Sequence, residues 1–514
     1  MSVTPTVTRL PLSAGALGAA VRDGTLPAGM MAAVPRTRTE WLQQIEICRE
    51  PMMGRGWVNT LREAMRPTGA AAARLARVSG GQGVVVTTGQ QPGLFGGPLY
   101  TLVKALSALA LADRIESVTG VPTAPVFWAA TDDADFAEGA STWLPCAGAL
   151  HEARLLVAPR EGTMMSHAFL ADMQEARALL ARATAGAAWP EYIRAATDAY
   201  RDGVTIGNAY VELMREVLTP LGITVLNAAH PSVRHQSAPL LRRALAEAAS
   251  VDQAVVERTA ALRDAGYAPQ VEPMADRSLV FVVRNGVKER ATISGAPAIL
   301  PKVSDDLLSP NVLLRPVVER ALLPTVAYLA GPGELAYFAQ VSAVADALSV
   351  AVPLALPRTS VRITTPAMQA TMTRFAQDAD ALRDTRALVS SLAREETPDA
   401  AIDALAALRA QLQTSARMLR GASALTPAAL DGAVAQLTHR TERLERRVLA
   451  ASKRGLADAL QRIGQAQSLL WPQGAPQERL VNPLPWLARH GTPLLEALQH
   501  ACAEDAAQLV HGGD

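Results

Sequence analysis

The chain has 514 residues, with 49 lysines and arginines against 48 aspartates and glutamates and with 49% hydrophobic residues. Such a length holds two to four domains, and the near-neutral balance argues against a nucleic-acid-binding surface, which needs a clear basic excess. Three scattered cysteines (Cys48, Cys146 and Cys502) offer neither zinc-site spacing nor a disulfide framework. A reduced, cytoplasmic setting follows from them. The N-terminus lacks a charged region leading into an apolar one. The most apolar helical stretch, Leu102 to Ala112, is interrupted by Lys104 and Asp113 and is too short for a bilayer, so no membrane partner is expected.

In chain order, the first strong element is a β-branched run, Val84 to Thr88, which breaks at Gly89 into a glycine-rich loop. The loop ends at Pro98, a favourable first helical residue, and a helix follows with Lys104 in its second turn. A buried strand feeding such a turn suits anion binding: glycines Gly89, Gly93 and Gly97 admit a ligand to the backbone, and N–H groups at the helix start face it. Gln90 and Gln91 add amides. The spacing matches neither a P-loop nor the dinucleotide fingerprint, and a tight turn between core elements reads equally from geometry.

A second strand, Ala124 to Ala130, ends in Asp132, Asp133 and Asp135. Residues 162–218 read as mostly helical with a break around Gly186 to Pro190, and a third strand, Ile223 to Asn227, runs into a turn at His230. Ser278 to Arg284, Asn285-Gly286 and Val287 to Thr292 spell a hairpin. Pro324 to Ala330, a Gly331-Pro332-Gly333 loop, a helix from Glu334 to Leu348 and a strand Val350 to Leu356 restore the alternation. Strands alternating with helices imply a parallel sheet covered on both faces. After Pro366 the texture changes: Ile402, Leu405, Leu408, Leu412 and Leu419, then Val434 through Ile463, repeat at helical spacing, with a break from Gly421 to Pro427. Two long antiparallel helices or a coiled coil are expected. The charged run His439 to Arg447 reads as its solvated face.

The runs TGQQPGLFGGPLYTLVKALS, VFWAATDDADFAE, NVLLRPVVERALLPTVAYLAGPGELAYFAQV, LPRTS and LLWPQGAPQERLVNPLPWLARHG occur in this order between about Gly83 and Gly491. Together they resemble the BshC family of bacillithiol biosynthesis, assigned as cysteine ligases. The resemblance implies an α/β fold: a Rossmann-like parallel-sheet core with inserted subdomains plus an α-helical coiled-coil arm that dimerises. The expected division is a core over residues 1–365 with inserts near 150–220 and 255–310, an arm over 366–470, and a segment 471–514 packing back on the core. The implied reaction joins cysteine to the amine of glucosaminyl-malate. The chain departs from the family at Ala134, where a histidine is usual, so no histidine role carries over to that position.

Amide formation from a free carboxylate is uphill, so activation by ATP is the expected chemistry, with Mg²⁺ as an accompanying ion, although the sequence holds no synthetase-type motif pair. Asp133, Asp135 and Glu334 are the candidate catalytic carboxylates. Gly89, Gln90, Gln91, Gly93, Gly97, Tyr100, Lys104, Asp132, Asn227, Arg315, Gly331, Tyr337 and Arg358 are the candidate substrate- or nucleotide-binding residues, and no protein-built metal site is expected. Each has a bland alternative. Lys104 reads equally as a snorkelling helix lysine, and the aspartates as a helix cap with first-turn acids; in either role their mutual repulsion raises at least one pKa unless a cation is present. Glu334 also reads as a cap, Tyr337 as a packed ring, Arg315 and Arg358 as structural, and His230 as a structural residue rather than a proton carrier. Two rival functions stay open: a non-catalytic nucleotide-binding scaffold, and a nucleotidyltransferase acting on another small acceptor.

Overall fold

The computed structural model describes residues 4–146, 148–375, 378–422 and 426–511. The chain divides into two compact units, residues 1–364 with 475–514, and residues 365–474.

The first unit is built on five parallel strands in the order 355–357, 325–330, 84–90, 123–129, 224–227. Their sequences are near-continuous apolar runs because helices cover both faces, as the fully buried Thr123–Ala129 strand illustrates. Chain order places Val84–Gln90 centrally. The strands that follow first extend the sheet to one side, and the last two return on the other. The crevice therefore opens between Val84–Gln90 and Thr325–Ala330, the switch point at which open α/β sheets bind ligands. The expected Rossmann-like class holds, with shifted boundaries. The first strand continues through Gly89 to Gln90, because both pair with Trp128 and Ala129 of the next strand. Pro98 is the cap rather than the first residue of the Leu99–Thr119 helix. The fourth strand's helix starts at Pro332, and the run from Val350 yields only Ala355–Pro357 as strand.

Helix Leu99–Thr119 is buried around almost its whole circumference. The C-terminal helix Leu484–Leu509 packs along it, with Arg114 Nε donating to the Val510 carbonyl at 2.9 Å. Two inserts decorate the sheet. Residues 162–218 hold three helices, Gln174–Ala183, Glu191–Ala199 and Ile206–Leu218, but residues 162–173 are irregular. Ahead of them lies an antiparallel pair the sequence reading did not anticipate, Ser141–Cys146 with Ala149–Arg154. In the second insert, Val280–Arg284 pairs antiparallel with both Val287–Arg290 and Leu308–Pro310. The hairpin turns on Asn285 (φ 51°) and Gly286 (φ 77°), the positive angles a two-residue turn requires.

In the second unit, Asp399–Ala422 and Pro427–Gly455 run antiparallel. Thr397, just ahead of the first helix, meets Ser452, and on the helices Arg409 meets Glu445 and Arg420 meets Asp431, so partners rise along one segment as they fall along the other. Of the break expected at 421–427, residues 423–425 lie outside the described residues.

Candidate active site

At the switch point a cleft of about 730 Å³ opens over the C-terminal ends of the strands and reaches the inserted three-stranded sheet. That volume is ordinary for a small-molecule site. Gly89, Gln90, Gln91, Tyr100, Lys104, Asp132, Asp133, Arg315, Gly331, Glu334, Tyr337 and Arg358 all line it, although they span 270 positions of chain (358 − 89 + 1).

The floor is a buried network. The Lys104 ammonium, 2% exposed, lies 2.6 Å from Glu334 Oε2 and donates to the Gly89 carbonyl at 2.6 Å and to Gln90 Oε1 at 3.3 Å. It is thus an internal brace and not a snorkelling lysine. Glu334 also accepts from the Gly331 N–H at 2.6 Å and the Tyr328 hydroxyl at 2.5 Å, so the capping reading and the cleft position are both realised. Arg315 donates to Tyr328 at 3.1 Å and to Glu319 at 3.0 Å, and Glu319 in turn accepts from Thr87. Burial alone would raise the Glu334 carboxyl. The Lys104 ammonium, the Tyr328 hydroxyl and Arg315 outweigh it and hold the group below the usual carboxylate value. Burial pulls Lys104 below the ordinary lysine value, and contact with Glu334 offsets only part of this. Arg358 is likewise committed: it forms a two-pronged pair with Glu478 at 2.9 and 2.7 Å while its guanidinium lies 5.6 Å from the Tyr100 ring centre.

The aspartates divide. Asp132 accepts from Ser309 at 3.1 Å and lies 3.9 Å from the Lys288 ammonium. Asp133 accepts from the Asp135 N–H at 2.9 Å. Its pKa is raised chiefly by burial; Lys288 opposes this, and repulsion from Asp132 is a smaller push. The elevation expected from repulsion is present, but desolvation is its main cause. Asp135 does not line the cleft; it caps the Phe136–Gly139 helix by accepting from the Glu138 N–H. Asn227 also lies outside, bonded to Thr131 and to the Ala229 N–H. His230 caps the Pro231–Ala246 helix through Ser232.

The glycine loop does not form the anion cradle expected of it. Gly96 N–H donates to the Gly93 carbonyl, and Gly97 N–H to that of Leu94. Tyr200 hydroxyl donates to the Gly93 carbonyl at 2.6 Å, and Asn482 donates to the carbonyls of Phe95 and Gly97 at 2.9 and 3.0 Å. The Leu99 N–H at the helix start is taken by the Val481 carbonyl. Gly93 and Gly97 instead pack on each other, where a Cβ on Gly93 would approach Gly97 Cα to 2.8 Å. The N–H groups of Gly96, Gly97 and Leu99 are therefore spent within the protein, and side chains become the donors to consider.

Those side chains include three that the sequence reading passed over. Lys288 and Arg290 come from the inserted hairpin, stacked near the Phe281 ring, and Arg479 comes from the C-terminal segment. Alternation along a strand puts Lys288 and Arg290 on one face and Glu289 on the other, which was the available signal. The Arg479 guanidinium makes no hydrogen bond or ion pair among the described residues, its backbone N–H alone donating to the Pro476 carbonyl. Glu138 also lines the cleft, open to solvent, with the Tyr100 hydroxyl 3.4 Å away. The buried indole N–H of Trp128 lacks a partner among the described residues. Among the described residues no group of three or more His, Cys, Asp or Glu is arranged to hold a metal ion.

Comparison with known proteins bears on this cleft. Residues 32–298 and 300–359 match the family model described as "Bacillithiol biosynthesis BshC, N-terminal Rossmann-like domain", and residues 364–507 match "Bacillithiol biosynthesis BshC, C-terminal coiled-coil domain". Similar proteins named "Putative cysteine ligase BshC" include one from Solibacter usitatus, 32% identical over 83% of this chain and 84% of that protein. Another from Koribacter versatilis is 30% identical over 86% of both chains, and one from Salinibacter ruber is 28% identical over 82% of both.

Proposed function

The chain belongs to the BshC family of bacillithiol biosynthesis, and from that premise we propose that it joins the carboxyl of cysteine to the amine of glucosaminyl-malate, with ATP activating the carboxyl. The observation that carries this reading is convergence. The glutamine turn, the aspartate pair and Glu334 meet around one cleft that also presents cations with spare donors. Activation needs charge stabilisation, and coupling needs two reactants held in register.

The residues divide the work by their free valences. Lys288, Arg290 and Arg479 suit the phosphates of the nucleotide and the carboxylates of malate. Asp132 and Asp133 suit the cysteine ammonium, and they are the carboxylates that a magnesium–nucleotide would meet. Lys104, Glu334 and Arg315 are internally paired, so they hold the floor rigid and set the positions of Gly89 and Gln90. Bound ATP supplies the energy of carboxyl activation. In the second unit, Leu408, Leu419, Leu437 and Leu444 are exposed on the helix pair, an apolar stripe that suits a second copy of the chain.

Incubating the purified protein with glucosaminyl-malate, cysteine and ATP, with and without Mg²⁺, tests the reading by mass spectrometry of the thiol product. Product that requires all three reactants is the expected result. Its absence under every nucleotide and metal condition refutes the reading. Pyrophosphate release driven by another amine or acid would instead indicate nucleotidyl transfer. Sedimentation of the full chain tests the dimer.

A further inference from the structure

An amine must lose a proton as it becomes an amide, and the cleft has to hold a group that takes it. Glu334 is closed off by Lys104, Tyr328 and the Gly331 N–H. Asp132 and Asp133 face Lys288, and Asp135 has turned away to cap a helix. Ala134 lines the same wall without a titratable group. Glu138 is different. It makes no ion pair among the described residues, and it stands open at the cleft.

Its carboxylate is nevertheless placed. The buried Lys104 ammonium donates to Gln90 Oε1 at 3.3 Å, Gln90 Nε2 donates to the Tyr100 oxygen at 3.0 Å, and the Tyr100 hydroxyl points to Glu138 Oε1 at 3.4 Å. The chain of bonds runs from the rigid floor to a carboxylate at the mouth that makes no ion pair among the described residues. Resting on the function proposed above, we infer that Glu138 is the catalytic base of the coupling step. The amine lone pair attacks the nucleotide-activated cysteinyl carbonyl, as an acyl-adenylate or acyl-phosphate. The C–N bond forms, the C–O bond to the phosphoryl group breaks with its electron pair leaving on phosphate, and the nitrogen's proton passes to the Glu138 carboxylate. The groups facing Glu138 are the Tyr100 hydroxyl from the long helix, the Gln91 amide from the turn, and Asp133 and Asp135 from its own segment. Partial burial, then repulsion from Asp135 and Asp133, raises its pKa, in the direction that strengthens a base.

The test compares wild type with Glu138→Gln and Glu138→Asp, full-length and matched in melting temperature. ATP consumption with cysteine alone should be unchanged in Glu138→Gln. Its kcat for amide formation should fall by about 100-fold or more, with KM for glucosaminyl-malate little altered, and the deficit should shrink as pH rises and solvent deprotonates the amine. Glu138→Asp should recover part of the rate. An active wild type with a Glu138→Gln rate within about threefold of it, or a loss confined to KM and independent of pH, overturns this assignment alone. A wild type that forms no amide overturns the proposed function and this assignment with it.

Discussion

Replacing Lys104 by methionine removes the ammonium that joins the first strand's turn to the helix after the fourth strand. The ion pair it makes with Glu334 is 2.6 Å long, with the lysine 2% and the glutamate 20% exposed. Breaking one side of a buried pair costs about 3–5 kcal/mol. Glu334 keeps two donors, Tyr328 and the Gly331 N–H, and some access to water, which places the expected loss at the lower end, about 3 kcal/mol. The Gly89 carbonyl also loses its donor. Urea unfolding followed by tryptophan fluorescence reads this unit directly, because every tryptophan but Trp471 lies in residues 1–364 and 475–514. Glu334→Gln should lose a similar amount, and the double variant should lose less than the sum, with a coupling of about 2 kcal/mol. A loss under about 1 kcal/mol for Lys104→Met, or strictly additive losses, would refute the view that this pair braces the cleft floor.

Acid should expose the same pair from the other side. Glu334 is held below its unfolded pKa, so the stability it contributes is complete above the ordinary carboxylate value, near pH 4.3, and disappears as pH falls through its lower folded value. Asp133, raised by burial, works in the opposite sense, so Glu334→Gln should flatten the acid limb of a midpoint-versus-pH curve while Asp133→Asn should steepen it. Asn482→Ala leaves the Phe95 and Gly97 carbonyls without their side-chain donor and should cost about 1–3 kcal/mol; hydrogen exchange should quicken in residues 93–99, and unchanged exchange there would count against the clamp. Gly89→Ala would set a Cβ 3.1 Å from the Trp128 carbonyl oxygen and 3.3 Å from its Cβ, between two paired strands. A loss of about 1–3 kcal/mol with reduced ligase activity is expected, and a variant as stable and active as wild type would contradict the close packing.

Much of the fold was legible. Apolar runs bounded by glycine and proline located four of the five core strands within a few residues, and Asn285-Gly286 specified its hairpin, because these signals are local. The run from Val350 misled because its first residues are apolar without pairing, and only Ala355 to Pro357 find a strand partner. The site was harder. Gly93 and Gly97 looked like a cradle, but their neighbours' N–H groups are used within the loop and its carbonyls are held by Tyr200 and Asn482, the latter 385 residues from Gly97. Glu138 sits three residues past Asp135, a spacing that reads as helix capping, and only the position of Tyr100 separates it from that role.

Sequence alone determined most of the core strands and helices, the Asn285-Gly286 turn, and which polar residues fall at strand ends, since propensity, periodicity and turn chemistry act over a few residues. Tertiary structure decided which of those polar groups still have a free valence. A lysine and a glutamate 230 positions apart neutralise each other on the floor, while a glutamate with no ion pair among the described residues stays available at the mouth. Pairing energies depend on separation in space and on exclusion of water, and neither is set by separation along the chain.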